Sequence, residues 1–187
     1  MRKNEKIRKL TTTAMLIALS VIIGFFCKTF LNFGAGLFRI TFENLPIIMS
    51  GIIMGPFVGG AVGLASDLLS YFLSPQAYPP NLIVTLGATM VGIISGIVSK
   101  YIIKKRGKMQ IIWSGALAHI IGSMIIKPIG LYQFYQALTF LRVPLYLVIA
   151  PVEIGLICIL LTRPGFARVV GYEIKNENKG DSMYGQK

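Results

Sequence analysis

The sequence predicts an all-α integral membrane protein, a single bundle of six transmembrane helices with both termini in the cytoplasm. Three observations carry that expectation. Residues A, V, I, L, M, F, W, Y and C make up 54% of the 187 positions and charged residues only 14%, where a soluble domain carries about 25% charged. The mean hydropathy is +0.68, and a globule of this size has too little interior to hide so much apolar surface, so the bilayer must cover it. Finally, the apolar body runs from about residue 10 to 162, with the basic residues gathered outside it. At about 20 residues per span, six helices fit if their loops are short.

The first helix covers about 10–31, where TTTAMLIALSVIIGFF opens an apolar run. A basic stretch precedes it, as in a secretory leader, but the run is long and no A-x-A cleavage site follows, so it reads as a retained span. The second helix lies near 44–54 and ends at Gly55-Pro56, because proline has no N–H and restricts the residue before it. The third covers about 57–73, and the proline-rich SPQAYPPN follows as a loop. Helices four, five and six fall at about 82–103, 109–127 and 143–162. The second and third are short, which leaves open four or five full spans with a re-entrant pair. Residues 1–165 form the membrane domain and 166–187 a polar cytoplasmic tail.

The net charge is +12, and its distribution speaks of topology rather than of nucleic acid. Fifteen cations precede helix one, lie between helices four and five, or follow helix six; only Lys28, Arg39, Lys127 and Arg142 fall on the opposite side. Positive loops stay in the cytoplasm. Cys27 and Cys158 are far apart and read as small apolar residues rather than a disulfide or metal pair. There is no G-x-x-x-x-G-K-[ST], no H-E-x-x-H and no G-x-S-x-G in the chain, so a P-loop ATPase, a zinc peptidase of that type and a serine hydrolase are excluded. The chain is expected to be no enzyme and to carry no metal or cofactor of its own.

Candidate functional residues are the polar ones a bilayer rejects, since a charge at mid-depth costs about 3 kcal/mol and faces a cavity or a partner. Asp67, His119 and Glu153 each lie about ten residues into their helices, roughly 15 Å deep at 1.5 Å per residue. His119 and Glu153 could form a structural pair, and Asp67 could reach an outward pocket or serve helix packing. Lys28, Arg39 and Lys127 could attract an anionic ligand or snorkel to the interface; Arg39 could also pair with Glu43, four residues on. Tyr71 shares a face with Asp67, and Phe38, Tyr78 and Tyr132 could stack on a flat ring. Ala14 and Ala18, one turn apart on a helix of bulky residues, offer a docking face for another helix.

Several of these features occur together in a known family. A basic N-terminus enters a helix with Ala14-Met-Leu-Ile-Ala18; R-I-x-F-x-x-L-P spans Arg39 to Pro46; G-P-x-x-G-x-x-x-G-x-x-x-D-L-L spans Gly55 to Leu69; and AYPPN follows. Over residues 1 to about 165 the chain resembles the substrate-binding S components of energy-coupling factor (ECF) vitamin importers, nearest to the folate-specific FolT branch. One departure is SPQAYPPN, where folate members are expected to carry a glycine near Ala77. The resemblance implies a six-helix subunit of the bacterial cell membrane that captures a vitamin from outside. It also implies docking through Ala14 and Ala18 on a transmembrane coupling subunit (EcfT-like) driven by two ATPases (EcfA-like), with ATP used by those partners only and no nucleic acid involved. Folate has two carboxylates, suited to Lys28, Arg39 or Lys127, and a pterin edge whose donors Asp67 could accept. Asn81 could bond the pterin amide, Tyr71, Tyr78 or Phe38 could stack on the ring, and His119 could sit at the pocket floor. Rival readings are an S component for pantothenate or riboflavin, a stand-alone proton-coupled carrier using Asp67, His119 and Glu153, a lipid-directed enzyme, and a protein-binding scaffold.

Overall fold

Polar side chains are buried beside the apolar core of this molecule while many large apolar ones face outward, unlike a water-soluble globule. In the computed structural model, which describes residues 3–33, 38–73, 81–136 and 142–172, Ser50, Ser95, Ser114, His119, Ser123 and Glu153 are buried, whereas Ile22, Phe57, Phe72, Leu82, Leu147 and Val148 are exposed. Lipid solvates such apolar surface, so the inner faces are free to hold the polar residues that link helices.

The described chain is helical apart from one small ladder. Helix α1 (Lys3–Phe30) leads into β1 (Asn32–Phe33), paired antiparallel with β2 (Phe38–Arg39). Then come α2 (Asn44–Met54), α3 (Pro56–Leu73) and α4 (Leu82–Ile97), the last running into π-helical turns over Val98–Ile102. Helix α5 (Lys108–Ala118), a second π-helical stretch (His119–Ile126) and α6 (Lys127–Tyr135) form one continuous rod. Helix α7 (Arg142–Thr162) and the short α8 (Pro164–Val170) complete the order.

Cross-helix contacts fix the direction of each helix. At one end Arg8 reaches Gly171, Thr13 Oγ1 donates to Met54 Sδ at 3.2 Å, and Gly55 lies beside the Lys100 stem. At the other end Lys28 Nζ donates to Ser70 Oγ, and Asn81 Nδ2 donates to the Gly130 carbonyl at 2.6 Å. The chain therefore passes back and forth between a basic end and a far end. Five described helices are long and apolar enough to cross a membrane: Lys6–Phe30, Pro56–Leu73, Leu82–Ile102, Lys108–Tyr132 and Val143–Thr162. Helix α2 has 11 residues, about 16 Å at 1.5 Å each, and is too short to span alone.

Gly55, at φ +96°, ends α2, and Pro56 starts α3, so the expected break falls where proline chemistry places it. Glycine lets α2, α3 and α4 touch backbone to backbone. A Cβ on Gly92 would lie 2.0 Å from the Gly59 carbonyl oxygen, and one on Gly51 would lie 2.5 Å from that of Gly92. The glycines spaced four apart on these helices (Gly51 and Gly55, Gly59 and Gly63, Gly92 and Gly96) thus serve internal packing. Below the seam, Leu16, Ile48, Met49, Ile111, Ile157 and Leu161 fill the core.

Two elements differ from the sequence reading. The fifth rod does not stop near 127 but continues to Tyr135 through Pro128. The π-helical turns explain this: the Lys127 N–H bonds to the Gly122 carbonyl, five residues back, so the ladder is already widened where proline would collide with a four-residue register. Beyond α7 the short helix α8 follows, which the sequence reading did not foresee, and Tyr172 is fully buried. Residues 173–187 lie outside the described chain.

Candidate functional site

At the far end, residues from four segments build a buried polar cluster. Helix α1 contributes Lys28, 7% exposed, and Ser20. The segment entering α2 contributes Thr41, Glu43 and Asn44; α3 contributes Ser70; the fifth rod contributes Ser123 and Lys127, the latter 4% exposed. Lys127 Nζ donates to Asn44 Oδ1 at 2.9 Å and stands 3.6 Å from Glu43 Oε1. Asn44 Nδ2 reaches Ser123 Oγ at 3.4 Å. Ser20 Oγ donates to the Glu43 carbonyl at 2.8 Å, and the Glu43 N–H donates to Thr41 Oγ1 at 3.3 Å.

Gly24 shows that the Lys28 and Lys127 halves are contiguous. A Cβ there would meet Ser70 Oγ at 2.9 Å and Glu43 Oε2 at 3.1 Å. The hydroxyl that Lys28 contacts and the carboxylate that Lys127 faces therefore crowd one point, one turn before Lys28. Burying an ammonium group is costly unless hydrogen bonds and opposite charge offset it, and this arrangement supplies both. Two buried ammonium groups and one carboxylate meet here, a setting in which charge-assisted bonds to an anion are strong.

The fifth rod carries its polar residues on one face, since positions four apart lie one above another on a helix. His119, Ser123 and Lys127, four apart, are all buried, so the rod presents one polar stripe inward. At its deeper end, His119 Nε2 and Glu153 Oε2 approach to 2.9 Å, both side chains enclosed. Their alignment is not that of an ordinary linear hydrogen bond, and His119 Nδ1 and Glu153 Oε1 meet no hydrogen-bond partner among the described residues. The pairing read from depth alone is thus present in the fold.

Other expected site residues lie elsewhere or are already engaged. Asp67 Oδ2 accepts from Thr85 Oγ1 at 2.7 Å, tying α3 to α4. Asn81 caps α4 by accepting from the Ile83 N–H at 2.9 Å while holding Gly130. Tyr71 stands edge-on to Phe72, with ring centroids 5.6 Å apart, and Tyr132 is half exposed. For Phe38 and Arg39 the backbone ladder is described but not the side chains, and Tyr78 falls outside the described residues. Ala14 and Ala18 are exposed on the outer face of α1, open to another helix. No group of three His, Cys, Asp or Glu that could hold a metal occurs among the described residues. Sequence reading missed Asn44, Ser70 and Ser123, and the Lys127 contact of Glu43. Their signal was an i, i+4 serine pair on helix three (Ser66 and Ser70) and the Glu43-Asn44 step inside the R-I-x-F-x-x-L-P run.

Residues 8–173 match the profile of a family described as ECF transporter, substrate-specific component. A folate transporter FolT from Clostridium novyi (strain NT) is 32% identical over 94 residues, which is 50% of this chain and 51% of that protein. The matched stretch thus spans about half the length of that relative. The fold resembles a crystal structure of FolT bound with folic acid, with TM-score 0.62 and 24% identity over 81% of this chain and 90% of that one. It resembles equally the S component for biotin of an ECF-type ABC transporter, with TM-score 0.64 and 18% identity over 91% and 99%.

Proposed function

Since the chain belongs to the ECF transporter substrate-specific component family, a family of multi-pass membrane proteins, we propose that it is the vitamin-capturing subunit of such an importer and that its cargo is folate. It sits in the bacterial cell membrane with six passes and both termini inside, α2 and the extended segment leading into it together making the short second pass. It captures its ligand at the far end, outside the cell. The buried pair Lys28 and Lys127 carries the reading. Their ammonium groups lie at the end away from the basic loops, as capture of a carboxylate-bearing vitamin from outside requires. Arg39, in the short ladder that follows α1, adds a third cation in this reading. The half-chain likeness to a folate transporter supports folate over other anions. Asp67 takes the donor edge of the pterin while keeping its Thr85 bond, since a carboxylate accepts several hydrogen bonds. Asn81, His119, Tyr71, Tyr78 and Phe38 complete the set, with His119 at the floor.

The chain itself catalyses nothing in this reading. Transport is driven by two EcfA-like ATPases through an EcfT-like coupling subunit, which docks on Ala14 and Ala18, where α1 turns small residues outward. A biotin-type cargo is the second reading, favoured by the equal fold likeness to the biotin subunit.

Mass spectrometry of the chain purified in mild detergent tests the proposal. A co-purified pteridine is expected, with folate affinity falling roughly a hundredfold in Lys28→Gln or Lys127→Gln, the scale of about 2–3 kcal/mol for a lost charged hydrogen bond. Retention of biotin instead, or folate affinity unchanged in both variants, defeats it.

A further inference from the structure

A polar cavity opens at the basic end, remote from Lys28 and Lys127. It holds about 270 Å³ and is lined by the end of α2 (Ile52, Met54, Gly55) and by Ser99, Lys100, Lys104, Arg106 and Gln110. Every charged residue in that lining is a cation. Ordinary topology accounts for cations at this end, but not for their convergence on one concave site. Like charges repel, and the repulsion weakens stability unless water, salt or an anion screens it.

The wall is also stiff. Gln110, 3% exposed, donates through Nε2 to the carbonyls of Ser99 at 2.7 Å and Ile103 at 2.8 Å, and its Oε1 accepts from the Tyr172 hydroxyl at 2.9 Å. Ser99 Oγ donates to the Ile52 carbonyl at 3.1 Å. The Tyr172 ring in turn lies under the Arg106 guanidinium, 5.4 Å from its centroid. A stacked guanidinium keeps its N–H edge available for two parallel bonds to an oxyanion. Lys100 and Lys104 add flexible ammonium groups on the same rim. The π-helical turns over Val98–Ile102 place Ser99 against α2 and Lys100 on the rim.

We propose that this cavity binds a phosphate group, with Arg106 as the bidentate anchor and Lys100 and Lys104 closing over it. At a membrane surface such a group comes from an anionic phospholipid headgroup or from free phosphate. The site is independent of vitamin capture, so it stands or falls apart from the reading above.

Native mass spectrometry of the detergent-purified chain, titrated with phosphatidylglycerol, phosphatidylcholine and inorganic phosphate, tests it. Phosphatidylglycerol is expected to bind at least tenfold tighter than phosphatidylcholine. The triple variant Lys100→Gln/Lys104→Gln/Arg106→Gln should lose that preference. A charge-matched control, Lys6→Gln/Lys9→Gln/Arg163→Gln, should retain it, with folding of both variants checked by thermal melting. Binding of inorganic phosphate that the triple variant alone abolishes supports the same site with a soluble ligand. An equal loss in the control, or no preference in the unmodified chain, overturns the proposal by showing only diffuse charge. If the triple variant does not fold, Arg106→Lys alone serves: it keeps the charge but removes the fork, and unchanged phosphatidylglycerol binding there overturns the bidentate anchor.

Discussion

The two ends of this bundle use lysine in opposite ways. At the basic end Lys100 and Lys104 are exposed on long stems, where water and salt solvate them. At the far end Lys28 and Lys127 are enclosed among a carboxylate, an amide and a hydroxyl drawn from other segments. Charge at the first end costs the fold little and orients it in the bilayer. Charge at the second end is stabilised only through its partners, so the helices that supply them must stay in register. Residue type alone does not distinguish the two; enclosure does.

The sharpest way to break that contrast is Lys127→Met. It leaves the Glu43 carboxylate facing an apolar side chain, and removing one partner of a buried pair costs about 3–5 kcal/mol. Lys104→Met at the basic end should stay within about 0.5 kcal/mol. Thermal melting in one detergent compares them, and equal losses would erase the distinction. A smaller effect is expected at Asp67, between the ends. Asp67→Ala should cost about 1–3 kcal/mol by leaving Thr85 without its acceptor, and Asp67→Asn should restore most of that stability. Folate binding lost in Asp67→Ala but kept in Asp67→Asn assigns Asp67 to helix packing; loss in both assigns it to the ligand.

The smallest expected effect sharpens the basic end. Tyr172→Phe removes one hydroxyl bond to Gln110, about 1 kcal/mol. Burial pushes the Tyr172 hydroxyl above its usual value of 10.0, with Arg106 acting against it. A group raised in this way adds stability below its unfolded value and loses it as pH climbs through the folded one. The gap between the two proteins should therefore be full at neutral pH and shrink above about pH 10, as melting across an alkaline series would show.

Local chemistry made much of the fold legible. Gly55-Pro56 could only be a break, the apolar runs could only be helices, and Glu153 and His119, each buried by its own helix, had few partners other than one another. The wide turns were not legible: no residue type marks them, and the widened ladder appears only where Pro128 meets a rod that packing keeps straight. Nor were the partners of Lys28 and Lys127 legible. Ser70 is 42 residues from Lys28 and Asn44 is 83 from Lys127, so only the assembled bundle brings them together. The four-residue spacing of Arg39 and Glu43 carries no weight there, because the chain between them is not helical and that rule applies only on a helix.

The widened stretch His119–Ile126 has an evolutionary corollary. A wide turn is how a helix absorbs an extra residue while its flanking turns keep their facing, so this stretch can lose a position and return to ordinary winding with Lys127 still turned inward. A deletion in the regular turns of α5 has no such reserve and would swing one part of the rod relative to the other by roughly 100°.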